Sequence, residues 1–226
     1  MAMALKNKYW VLRHGRSIPN EKGLIVSSLE NGVLPEYGLA TDGIRQANAA
    51  GELFLKEITM ENISIEKVRI YFSPFSRTRQ TAEAVASVLN LPFDGPQMKA
   101  MEELRERYFG PQLELQSHNH YPEIWALDEK DPFTPPEGGE SVADVACRLA
   151  TIMPKIEAEC EGYGVLIVAH GDPLQIFQTI LHATIHKHSS EKNGILEGNS
   201  DAVMTASTLS QHRTFSLLTG ELRRVI

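Results

Sequence analysis

Three short apolar runs constrain this chain more than any other feature: Tyr9 to Leu12, Val68 to Phe72 and Val165 to Ala169. They are rich in β-branched and aromatic residues and too short for buried helices. Each therefore reads as a strand buried on both faces, as in a parallel sheet. The residues just after each run are chemically alike. Arg13-His14-Gly15-Arg16-Ser17 comes after the first, Ser73-Pro74-Phe75-Ser76-Arg77 after the second, and His170-Gly171-Asp172 after the third. Open α/β sheets bind ligands at the carboxyl ends of their strands. Three strands would thus carry two histidines and at least two arginines to one edge. One histidine at a strand end is more often structural than catalytic. Buried polar groups need partners, so three such endings together single out a site.

Helical patterns lie between the runs. Thr41 is a candidate N-cap for a helix over Asp42 to Ile58, whose apolar residues recur near every fourth position. Ser76 to Leu89 is a second helix. Ser141 opens a third, with Asp144 completing a capping box and Pro154 expected to kink or end it. Pro173 suits the first position of a fourth, reaching Ile185. Strands alternating with such helices imply an α/β three-layer sandwich, with a mostly parallel central sheet and helices on both faces. The whole chain, 1–226, reads as one domain. Residues from about Glu106 to Gly139 break the alternation and read as an inserted cap over the site, with a helix near Tyr121 to Leu127. Lys187 to Ser207 reads as a surface loop, and Thr214 to Leu218 as a last strand.

The formal net charge of −7 disfavours nucleic acid and anionic membrane as partners. A small anion stays possible where arginines gather locally. Cys147 and Cys160, if on one helix, stand roughly 20 Å apart, too far for a disulfide. Unpaired thiols suit a reducing compartment. The first residues hold no signal-like apolar run, and no stretch approaches the length of a membrane span. A soluble, cytoplasmic protein is expected. Oligomeric state is not legible.

Six motifs, in order, resemble the histidine phosphatase superfamily, also called the phosphoglycerate mutase-like family. They are Leu12 to Ser17 with Asn20, Leu39 to Ala47, Ser73 to Ala82, Leu104 to Gly110, Gly138 to Ser141, and Val168 to Gly171. The resemblance implies metal-free, cofactor-free chemistry on a small phosphorylated substrate. His14 would be the nucleophile, attacking as neutral imidazole with its other nitrogen held by a backbone carbonyl. Arg13 and Arg77 would hold the phosphate oxygens bidentately, with His170, Gly171 and Asn20 beside them. Gly15 would let the chain turn and bring backbone N–H groups to the phosphate. Glu106 would protonate the leaving group and then activate water, with Glu102 and Glu103 as off-motif rivals. Asn20 has an alternative reading as a turn residue.

The chain departs from the mutases at three places. Arg16 stands where they often carry an acid, and Pro19 where they often carry tryptophan. Trp125 is followed by Ala126-Leu127-Asp128-Glu129 instead of a pair of arginines. Carboxylate binding there would meet repulsion, which favours hydrolysis over mutase chemistry. Arg16, Ser27, His118, His120 and Tyr121 are candidate substrate contacts, Arg16 having solvent as its alternative. Two other classes compete. His118 with His120, and His182 with His186 and His188, have metal-ligand spacing. A catalytically silent phosphate-binding scaffold would keep the fold without turnover.

Overall fold

The computed structural model describes residues 5–190 and 204–226, with backbone alone for 185–190. Among them a five-stranded sheet runs in the order β3-β2-β4-β1-β5. Its strands are β1 (Lys8–Arg13), β2 (Val68–Phe72), β3 (Met98–Ala100), β4 (Gly164–Ala169) and β5 (Leu222–Arg224). All neighbours are parallel except β5, which runs antiparallel to β1. The helices are α1 (Ile18–Lys22), α2 (Leu29–Gly32), α3 (Thr41–Met60), α4 (Ser76–Val88) and α5 (Tyr121–Lys130), then α6 (Val142–Ala150), α7 (Ile152–Glu159), α8 (Gly171–Ser190) and α9 (Ala206–Leu209).

Successive side chains of a strand point to opposite faces, and both faces here are covered. Tyr9, Val11, Val165 and Ile167 pack with Val145, Leu149, Ile156 and Phe177 from α6, α7 and α8. Trp10, Leu12, Ile70 and Leu166 pack with Phe54, Ile58, Ala82 and Val85 from α3 and α4. This double burial is why the strands are apolar without polar alternation. The three-layer α/β sandwich is the observed fold.

Several local expectations are corrected. Thr41 is already helical; Ala40 precedes it, and no side chain caps α3. The box of Ser141 and Asp144 does form. The helix it opens breaks at Thr151, so Pro154 falls in the first turn of α7, where its missing N–H costs nothing. Cys147 therefore lies on α6 and Cys160 just past α7, both free. Pro173 is the third residue of α8, not the first, and the helix runs on to Ser190. The expected loop at 187–207 is helical at both described ends, and 191–203 lie outside the described residues. No strand forms at 214–218: a 3-10 turn covers His212–Phe215, and the edge strand is β5.

Residues 106–139 are tied down by charge. Arg107 is fully buried and grips both oxygens of buried Asp128 on α5, at 2.7 and 2.8 Å. It also reaches Asp172 on α8 at 3.3 Å. Glu114 accepts hydrogen bonds from Ser27, Ser28 and Asn31. Ile25, Phe109 and Ile124 form a small separate core beneath. Breaking a buried pair leaves an uncompensated charge. Arg107→Met should lower unfolding free energy by about 3–5 kcal/mol, read by urea denaturation.

Candidate active site

The parallel register sets the site's level. Arg13 pairs with Ala169, so His14 and His170 leave their strands side by side. The His14 N–H donates to the Ala169 carbonyl at 3.0 Å, and the two imidazoles lie 5.3 Å apart. Ser73, just past β2, is tied to Val168 in the same way at 3.1 Å. Past His14 the chain meets α3 with almost no clearance. A Cβ on Gly15 would fall 2.2 Å from the Gly43 carbonyl oxygen, and one on Gly43 would fall 2.0 Å from that of Arg16. The N–H of Gly15 itself donates to Thr81 Oγ1 at 3.1 Å. Close packing is what requires glycine there.

His14 is 2 % exposed. Its Nδ1 lies 2.8 Å from the Gly15 carbonyl oxygen. A carbonyl only accepts, so Nδ1 carries the proton and Nε2 keeps its lone pair. Burial, and then Arg77 and Arg13, hold this imidazole well below the usual histidine range, so it is neutral. Arg77, at the start of α4, points its Nε at His14 Nε2 and His170 Nδ1, each at 3.2 Å. Its Nη2 donates to the Val26 carbonyl at 3.0 Å. Its Nη1 is buried without a partner among the described residues, as is the Nε of Arg13. Arg13 Nη1 donates to the Leu217 carbonyl at 2.6 Å. Buried donors left open in this way await an acceptor.

His170 is fully buried, and its Nε2 lies 2.8 Å from Ser73 Oγ. Burial, followed by Arg77 and His14, keeps it neutral too. Glu106 closes the cup: its Oε2 lies 3.6 Å from Arg77 Nη2 and 3.7 Å from His170 Nδ1. Burial pushes this carboxyl up to about 7, against the pull of Arg77 and with help from Asp172. A group of that kind can give and take a proton near neutral pH.

These groups surround a cavity of about 120 Å³. Arg13, His14, Asn20, Arg77, Glu106, Tyr121 and Gly171 all line it. Asn20 takes its turn reading and also borders the cavity. Its Oδ1 accepts from Ser17 N and Oγ in the cap of α1, and its side chain still borders the cavity. The remaining candidates lie elsewhere. Arg16 stands half exposed, 3.8 Å from Glu21. Ser27 is buried against Glu114 and the Phe109 N–H. His118 and His120 lie in a 3-10 turn outside the cavity, with His120 3.7 Å from Glu123. Sequence reasoning did not single out Asp172 or Gln175 as lining residues. Asp172 directly succeeds the third strand's His-Gly, and Gln175 lies one helical turn on, so spacing along α8 was the available signal.

A cation has a natural place in one group among the described residues, formed by Asp128, Asp172 and His212. The Arg107 guanidinium already fills it, so these residues do not fit a metal as well as the arginine they hold. Of the second histidine group, His182 packs on Phe215, while the side chains of His186 and His188 lie outside those described. No helix among the described residues is long and apolar enough to cross a membrane.

Comparison with known proteins agrees with this geometry. Residues 9–207 match the family model described as histidine phosphatase superfamily (branch 1). A 2,3-bisphosphoglycerate-dependent phosphoglycerate mutase of Rhizobium etli is 28 % identical over 175 residues, 73 % of this chain and 75 % of that one. A fructose-2,6-bisphosphatase of Saccharomyces cerevisiae is 28 % identical over 167 residues, and the match spans 73 % of this chain but only 32 % of that protein. Among solved structures, that of mycobacterial hydrolase 1 superposes with a TM-score of 0.68 at 19 % identity, covering 95 % of this chain and 88 % of the other. With this sheet, these strand ends and a family match over most of its length, the chain belongs to the histidine phosphatase superfamily, whose members are phosphatases or mutases.

Proposed function

We propose that this protein hydrolyses small phosphate monoesters through a phosphohistidine on His14, without a metal. The observation that carries the reading is the state of His14: Nδ1–H held by the Gly15 carbonyl, and Nε2 facing Arg77, with Arg77 and Arg13 both keeping unmet donors at the cavity. The phosphate oxygens take up those donors, and Arg77 turns from Nε2 to the phosphate. Nε2 then forms a bond to phosphorus as the ester P–O bond breaks. Glu106 gives its proton to the departing alkoxide. In the second half, Glu106 takes a proton from water, whose oxygen bonds phosphorus as the N–P bond breaks. Catalysis is mainly positioning and charge stabilisation. Hydrolysis is favoured over phosphate transfer because the lining cations, Arg13 and Arg77, both stand at the phosphate cup. A mutase needs a second anion-binding set to hold its acid while it reorients.

Rapid quenching during turnover should trap an acid-labile phosphoenzyme in the native protein and none in His14→Ala; label in the variant would overturn the covalent step. With a poor leaving group such as glycerol 3-phosphate, kcat/KM should fall as pH rises through about 7, because Glu106 must be protonated to act. No matching acidic limb from His14 is expected above its lowered range. Glu106→Gln should cost about 100-fold or more with that ester and far less with nitrophenyl phosphate, whose leaving group needs no proton. Full activity should persist in EDTA. Loss that a divalent metal restores would exclude the metal-free mechanism.

A further inference from the structure

The cavity lining carries both signs of charge. Arg13 and Arg77 are its lining cations, and both stand at the phosphate cup. The rest of the wall includes Asn20, Tyr121, Trp125, Asp172 and Gln175. Asp172 is the charged member of that wall. Its Oδ2 lies 3.3 Å from Arg107, but the same guanidinium already holds both oxygens of Asp128 at 2.7 and 2.8 Å. Two carboxylates share one cation, so Arg107 neutralises Asp172, which lines the cavity, only in part. Gln175, one turn along α8, has a buried Oε1 that accepts no hydrogen bond among the described residues. Asp172, only partly neutralised, and the open Gln175 Oε1 thus offer acceptors to a bound leaving group. Of the acids that come after Trp125, Asp128 is held by Arg107 and Glu129 is exposed, and neither lines the cavity; Asp172 does.

We propose that Asp172, with Gln175 beside it, selects the alcohol half of the substrate: a neutral or cationic group carrying hydroxyl or amino hydrogens near the ester, against one carrying a carboxylate or a second phosphate. This rests on the hydrolase reading above. A donor on the leaving group satisfies acceptors that are otherwise left open, whereas a carboxylate meets a like charge at a partly desolvated wall. Tyr121 and Trp125, with rings stacked 5.5 Å apart and the Arg213 guanidinium over the Trp125 ring, line the same cavity.

Glycerol 3-phosphate and 3-phosphoglycerate test this cleanly, since they differ only in a hydroxymethyl group exchanged for a carboxylate. Both use the same phosphate cup and the same acid, so any effect of a variant on Glu106 cancels in their ratio. The native protein should favour glycerol 3-phosphate in kcat/KM by about tenfold or more, and Asp172→Asn should bring the ratio within about threefold of unity. Gln175→Leu should move it in the same direction, and it serves if Asp172→Asn fails to fold. A native preference for 3-phosphoglycerate, or a ratio unmoved in the variants, overturns the proposal. Nitrophenyl phosphate keeps the two readings apart. If it is not hydrolysed, the hydrolase reading fails, and the dissociation constants of the two esters then decide the role of Asp172 by the same ratio.

Discussion

The pairing of β1 with β4 is the constraint on which the site depends. Because Arg13 stands opposite Ala169, two strands that are far apart in sequence end at one level and release His14 and His170 together. A slip of one residue would turn the side chains of a strand to the other face and separate the two imidazoles. Register is secured by double burial, since Tyr9, Val11, Val165 and Ile167 belong to one core and Trp10, Leu12 and Leu166 to the other. The glycine contact between Gly15 and Gly43 then fixes how closely the loop after β1 lies against α3.

Within that frame, the chemistry comes from putting cations where water is scarce. Arg77 and Arg13 disfavour a proton on either histidine, and burial acts in the same direction. The same burial has the opposite consequence for a carboxyl group. Glu106 rises to about 7 although Arg77 pulls it down. One environment therefore yields a neutral base and a protonatable acid a few ångströms apart, which is the combination that nucleophilic attack and leaving-group departure require.

Two features of residues 106–139 share an arginine. Arg107 is next to Glu106 in the chain and binds Asp128 and Asp172. It thereby fixes α5, which bears Tyr121 and Trp125, while leaving Asp172 only partly neutralised. The same arginine thus ties residues 106–139 to α8 and shares its charge with Asp172, which lines the cavity.

The three apolar runs, the residues after each, and the capping box at Ser141 were legible in sequence because they depend on local rules: buried strands are apolar, and caps are short-range hydrogen bonds. Those same runs led to the α/β sandwich. The edges were harder. β3 and β5 have three residues each, and β5 contains Arg223 and Arg224, so neither carries an apolar signature. Ser27, Arg16, His118 and His120 were plausible contacts by their place in the chain, yet none of them lines the cavity. What only the tertiary structure decided is which charges meet. Arg107 reaches across to Asp128 and Asp172, and Gly15 gives its N–H to Thr81. The sequence by itself determined which chemical groups stand at each strand end. The distances between them, and hence their protonation, arise from burial and long-range contact that no local pattern encodes.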